Sequence, residues 1–506
     1  MAARRNPSPM LIAVAGVTVL GLLLAAACSS DGDATSPGPD TRQGTTTTDA
    51  PGRGGPAAQL TRLPADGDVF IGSPEPYQPD PGYLQEELVA AGTATAYTVV
   101  GELTEDGEWT LDSGAEADYR TRIVVRRPEA AEAFSGTVVV EWLNVSGGLD
   151  ADPEWTSLRE EVVREGHAWV GVSAQQIGVE GGPVRVAVDV AGSEAAGKGL
   201  KAIDPARYGD LVHPGDAFAN DIFTQVGRAV RAGDALGDLL PQTVLAAGES
   251  QSAFALVTYV NGVHPLVEVF DGYFLHSRGA AGFPVLAPGD GSADIAASLA
   301  GGVATIRTDL GVPVFNVQAE NDVVGIFSSF RARQPDSDGF RLWEVAGTAH
   351  ADRHLLGPVA NAIDCGAPIN DGPLHLVVKA AFHHLVEWVV SGTPPPPSQV
   401  LEVEGGALVR DADGIAVGGV RTPPVDVPVQ VLSGVAGPNP DVICLLSGST
   451  NPMTTSRLAE LYSSPRHYEE EYLRAVDAAV EAGVVLEADR AAMERYARPD
   501  LVFVVG

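Results

Sequence analysis

The stretch Gly248-Glu249-Ser250-Gln251-Ser252 lies between an apolar run, "TVLAA", and a small-residue helical pattern, "AFALVTYV". A sharp turn from strand to helix at this point would lift the Ser250 hydroxyl clear of a sheet and offer it as a nucleophile. The second glycine of a G-x-S-x-G pattern is Ser252 here, and a small side chain can meet that steric demand. Five-residue matches of this kind arise by chance, so its placement between strand and helix gives it weight.

A serine needs a base to take its proton, and the base needs an acid to hold its tautomer. After the apolar run "VPVFNVQ" comes "AENDVVG", with Glu320 and Asp322. After "FRLWEVAG" comes "TAHADRH", with His350 and His354. Both segments would lie at the C-terminal edges of strands, where open α/β sheets bind ligands. The reading adopted is Ser250, Asp322 and His350, with Glu320 as the alternative acid. Asp322 sits further into its turn and its shorter carboxylate needs less reach, and His350 lies nearer its strand than His354. Blander roles exist: Asp322 as a helix cap, His354 as a solvated helix residue. His350 and His354, with Asp352 between them, could also hold a metal, but the zincin glutamate and an obvious third ligand are missing. No metal and no cofactor is expected.

Acyl transfer further requires donors for a developing oxyanion. The backbone N–H of Gln251 directly follows the nucleophile. A second donor is expected from the loop "LNVSGGLD", where Gly147 and Gly148 would let the backbone approach a substrate closely, although an ordinary Gly-Gly turn reads the same way. Arg278, at the end of "YFLHSR", could hold a substrate carboxylate or form a structural ion pair.

The elements needed to position these residues recur along the chain. "TATAYTVVGEL" and "YRTRIVVRRP" read as an antiparallel pair, and six short Val- and aromatic-rich runs follow, alternating with helical patterns. That alternation implies a mostly parallel sheet with helices on both faces. Segments 176–215 and 278–311 break the rhythm and are expected to cover the site as lid-like insertions. The core is placed at 63–399, and residues 400–506 are expected to form an accessory region packed on it.

"EWLNVSGG", "HPGDAFANDIF", "AAGESQSA", "FNVQAEND" and "WEVAGTAHAD", in this order, resemble the largely uncharacterised alpha/beta hydrolase domain family whose elbow reads G-E-S-Q-S. The resemblance runs from about residue 66 to near the C-terminus. It implies an α/β-hydrolase fold and a serine-hydrolase triad, and supplies no substrate.

The N-terminus reads as an export signal over residues 1–27: Arg4 and Arg5, an apolar run from Met10 to Ala27, then Cys28. The stretch "LAAAC" resembles a bacterial lipobox, with Leu24 one place further from the cysteine than usual, and implies acylation of Cys28 and an extracytoplasmic, membrane-anchored protein. Residues 28–62, rich in Gly, Pro and Thr, are expected to form a disordered tether. In that compartment Cys365 and Cys444 are a candidate disulfide. A net charge of −34 over 506 residues argues against nucleic-acid partners. The expected partner is a small ester or amide, an ester more readily because its leaving group needs less help. An acyltransferase using the same serine, or a non-catalytic lipoprotein binding a ligand in a hydrolase-like cleft, would share these features.

Overall fold

The computed structural model describes residues 54–64, 67–73, 77–188 and 193–502. The export signal, Cys28 and most of the tether lie outside the described residues. The tether boundary moves earlier than the sequence reading set it. Ala58 is buried, and β1 (Gln59–Arg62) pairs antiparallel with Leu88–Ala91.

β2 (Tyr83–Val99) and β3 (Leu111–Pro128) form a long antiparallel pair, and β3 runs antiparallel to β5 (Ala168–Val172). β5, β4 (Thr137–Trp142), β6 (Thr243–Glu249), β7 (Gly272–His276), β8 (Val314–Ala319) and β9 (Phe340–Val345) are then parallel neighbours. The sheet order is β1-β2-β3-β5-β4-β6-β7-β8-β9. β4 thus has β5 on one side and β6 on the other, so strand order reverses there and opens a crevice beyond the C-terminal ends of β4 and β6.

The parallel strands β4 to β9 are mostly apolar because both faces are covered. Val138 and Val140 of β4, with Val244 and Ala246 of β6, pack on one face with Ile222, Phe223 and Val226 of α2 (Ala219–Arg231). Val139, Leu245 and Ala247 face the other way, against Trp155 and Leu158 of α1 (Pro153–Arg164) and Val377, Val378 and Phe382 of α4 (Leu374–Ser391). The same second cluster takes in Tyr468, Tyr472, Val476 and Ala479, at helical spacing on α5 (Pro465–Glu481). The C-terminal region therefore shares one core with the sheet. It also shields the open edge of β9 through bridges from Trp343 to Gln399 and from Val345 to Val420.

Two fully buried arginines on β3 anchor the start of α1. Arg122 donates to Glu87, Asp150 and Ser173 at 3.0, 2.5 and 2.9 Å. Arg126 donates to Asp152 at 2.6 Å, and its guanidinium lies 4.5 Å from the rings of both Trp155 and Trp169. The buried Glu141 carboxylate accepts the first amides of α1, from Glu154 and Trp155, at 3.0 and 2.9 Å.

β6 turns into α3 (Gln251–Thr258) at Ser250, whose φ of 59° and ψ of −121° lie where side-chain-bearing residues are rare. The turn is tight on both sides. A Cβ on Gly248 would lie 3.0 Å from both Ser252 Cβ and Leu256 Cδ1, which accounts for the small residues at both positions.

Two stability outcomes follow. Tyr472→Ala should cost about 3–5 kcal/mol in urea denaturation, by analogy with other buried aromatic truncations; a loss under about 1 kcal/mol would mean that the C-terminal helices do not share the cooperative core. Ser250→Gly should be more stable than Ser250→Ala by about 1 kcal/mol, since glycine alone relieves the positive φ. Equal stabilities would contradict strain at the turn.

Candidate active site

The ends of β6, β8 and β9 bring three of the expected residues into one line. The Ser250 hydroxyl lies 2.8 Å from His350 Nε2, and His350 Nδ1 lies 2.6 Å from Asp322 Oδ1. With Nδ1 donating its proton to Asp322, Nε2 is left to accept the hydroxyl. Asp322 Oδ2 accepts the Ala319 N–H at 2.7 Å, fixing the carboxylate against the end of β8. The His350 backbone donates to Asn321 Oδ1 at 2.9 Å, and Phe327 stacks on the imidazole with ring centroids 4.7 Å apart. All three side chains are buried. Burial alone would draw the His350 pKa down, but the carboxylates of Asp322 and Glu249 outweigh it and leave the pKa raised.

Glu320 and His354 do not reach this line. The Glu320 carboxylate is taken up by Arg410, Ser433, Gly434 and Gly347 and ties the accessory region to the turn after β8. His354 faces the Thr156 carbonyl and stacks on His375. Asp352, between the two histidines, caps a short helix at Leu355, so neither joins His350 as a pair of metal ligands would.

The two expected oxyanion glycines part company. The Gly148 amide already donates to the Val145 carbonyl at 2.9 Å, and its φ of 78° and tight contacts with Val184 and Gly197 serve the packing of the loop instead. The Val145 amide donates to Gln251 Oε1 at 3.1 Å and the Ser146 amide to Asn144 Oδ1 at 2.8 Å. Gly147, on the cavity wall, has an amide not drawn into such a bond among the described residues, as has Leu149 on the same wall. The Gln251 N–H opens α3 and, like every first-turn amide, has no intrahelical acceptor.

Sequence reasoning missed the side chains that hold this geometry. Asn144 Nδ2 donates to the Glu249 carbonyl at 3.0 Å, and the Gln251 side chain joins the Val145 amide to Gln175. Gln175 in turn accepts from Trp142 Nε1 at 3.0 Å. The elbow and the loop after β4 are thereby cross-braced by side-chain amides. Only the Asn and Gln within the quoted motifs hinted at this.

Arg278 lies away from the cavity. It is fully buried, its guanidinium donates to the carbonyls of Gly279, Ala280 and Ala304, and it does not line the cavity. It fastens the segment after β7 instead, and burial without a carboxylate partner lowers its pKa to about 10.

Ser250, His350 and Glu249 open onto a cavity of about 710 Å³. Val184, Val186, Ala187, Val188, Ser193 and Ala196 line one side, so the first insertion covers the site. The second contributes no lining residue among those described. It braces the first through an Arg185–Asp294 ion pair, and Asp216, just past the first, exchanges bonds with Gly291 and Ala293. Leu355, Leu356 and Val359 line another wall, and Ile443 and Leu446 arrive from the C-terminal region. The disulfide between Cys365 and Cys444, with Cα atoms 5.3 Å apart, ties these last two segments together.

A search of curated proteins finds no match to the chain. Among solved structures it is similar to fungal esterases from Rhizomucor miehei, at 11% identity and a TM-score of 0.30, over 60% of this chain and 85% of that one. It is also similar to an α/β serine hydrolase without lid from Xanthomonas campestris, at 12% identity and a TM-score of 0.29, over 58% and 95%. Likenesses this distant carry no argument about activity. The model of the family described as "Alpha/beta hydrolase domain" matches residues 53–495, and the chain belongs to that family.

Proposed function

We propose that the protein is an exported serine hydrolase, held at the membrane by an acylated Cys28, that cleaves uncharged carboxylic esters. The observation that carries the catalytic reading is the Ser250–His350–Asp322 line, with contacts of 2.8 and 2.6 Å, at the mouth of an apolar cavity. In this reading His350 Nε2 takes the Ser250 proton as the serine oxygen attacks the ester carbonyl. The Gln251 and Gly147 amides receive the oxyanion. The C–O bond breaks, the alcohol leaves with the proton from His350, and water releases the acid from the acyl-enzyme by the same steps. Asp322 holds the tautomer and stabilises the imidazolium throughout.

The cavity wall supports the substrate class. Its side chains are mostly aliphatic, with no Lys or Arg among the lining residues described, and its acidic member is Glu249. An anionic acyl group would lose its hydration there and meet a carboxylate. An uncharged aliphatic ester would lose neither.

Ser250→Ala should lower p-nitrophenyl butyrate hydrolysis by at least about a thousandfold and Asp322→Asn by about 10³–10⁴-fold, with the fold intact by circular dichroism. The wild type should favour the butyrate over the p-nitrophenyl half-ester of succinic acid by more than about tenfold in kcat/KM. Retained turnover in Ser250→Ala would refute the nucleophile, and preference for the succinate would refute the substrate class.

A further inference from the structure

Next to the nucleophile lies a row of buried ionisable groups that the triad does not use. Glu249 Oε1, both ring nitrogens of His276 and both carboxylate oxygens of Glu154 are buried without a hydrogen-bond partner in the protein. Unpartnered buried polar groups are uncommon, and here five such atoms belong to three adjoining side chains. Glu249 and His276 are cross-strand partners at the ends of β6 and β7. Glu154, on the first turn of α1, lies 3.6 Å from His276 Nδ1. At the other end of the row Glu249 Oε1 lies 3.3 Å from His350 Nε2, the same nitrogen that faces the Ser250 hydroxyl at 2.8 Å.

We infer that Glu249, backed by His276 and Glu154, is a second carboxylate of the site that controls the charge of His350 from its Nε2 side. The inference rests on the proposed roles of Ser250 and His350. Glu249 acts through His350 and is a positioning residue. Asp322 meets the imidazole at Nδ1, so the ring lies between two carboxylates, each of which favours its charged form.

The consequences have definite signs. When the Ser250 proton moves to Nε2, an ionised Glu249 stabilises the imidazolium that forms. Before that transfer, the same negative charge raises the pH at which His350 becomes neutral and able to act as a base. A protonated Glu249 would instead donate to Nε2 and compete with the Ser250 hydroxyl. Both effects remove activity as pH falls.

The groups facing this row come from six elements. They are Glu249 on β6, His276 on β7, Glu154 on α1, Glu141 on β4 beside Glu154, Asp322 in the turn after β8, and His350 and Asp352 after β9. Burial pushes the Glu249 carboxyl up to about 7 against the opposing pull of His350 and His276. Burial lowers the His276 pKa, but Glu154 and Glu249 outweigh it and leave the ring readily charged. A charged His276 in turn favours ionised Glu249. Asp352, a further carboxyl within range of His276, is pushed to about 7 by burial.

The test is the rate at which a neutral alkyl fluorophosphonate labels Ser250 as a function of pH, a readout that needs no knowledge of the substrate. In the wild type the rate should rise along an acid limb as His350 becomes neutral. In Glu249→Gln that limb should move to lower pH by about one unit, and the plateau rate should fall about tenfold. Glu249→Asp, which withdraws the charge by one methylene, should move the limb part of the way and supplies the reading if Glu249→Gln does not fold. His276→Gln should shift the limb in the wild type but not in the Glu249→Gln background. A wild type whose Ser250 is labelled, with a limb that neither Glu249 variant moves, would overturn this inference alone. A folded wild type with no labelling at Ser250 would overturn the nucleophile assignment and this inference with it.

Discussion

The site depends on one serine held in an unfavourable backbone conformation. Ser250 adopts a φ of 59°, a state that costs roughly 1–3 kcal/mol at a residue with a side chain. The surroundings leave it no cheaper arrangement. β6 is hydrogen-bonded to neighbours on both sides, the Ser250 amide donates to the His276 carbonyl at 2.9 Å, and α3 is buried along its whole length. With the turn fixed, the hydroxyl points across the sheet edge to His350 Nε2. Everything else in the site is arranged around that fixed point.

His350 and Asp322 come from distant parts of the chain, and parallel pairing is what makes them neighbours. β6, β7, β8 and β9 lie side by side and all end on one edge, so residues just past their ends converge. The buried cations serve the same arrangement. Arg122 holds Asp150 at the end of the loop that carries Gly147, Arg126 holds Asp152 just after it, and Arg278 fastens the chain after β7. With these cations committed to interior partners, the described cavity wall carries carboxylate and imidazole but no Lys or Arg. A chain of net charge −34 has thus placed some of its few cations where they shape the site without entering it.

Much of this was legible in the sequence because strand and helix patterns are local. The valine runs of β4 and β5 and the apolar runs of β8 and β9 mark buried strands, and their ends carry His350, Asp322 and Glu320. The preference for Asp322 over Glu320 rested in the sequence on reach alone. In the folded chain Arg410 and Gly434 draw Glu320 away, contacts 90 and 114 residues off in sequence. Gly148 looked like an oxyanion donor for the same reason: its amide's bond to the Val145 carbonyl follows from the folded loop, not from residue type. The helical pattern from Ala219 reads on to Leu240 by apolar spacing, yet α2 stops at Arg231, and Gly233 follows at a φ of 86°. The cysteines were readable as a pair. That their bond would bring Ile443 and Leu446 to the cavity needed the tertiary structure.

The central claim is that Ser250 carries an acyl group during turnover. Mixing the protein with p-nitrophenyl butyrate, quenching with acid and mapping the peptides by mass spectrometry tests it most directly. The account predicts one butyryl group per chain on the peptide containing Ser250, formed in step with a burst of p-nitrophenol. Steady release of p-nitrophenol from protein acylated elsewhere, or never acylated while Asp322→Asn is slowed, would contradict it.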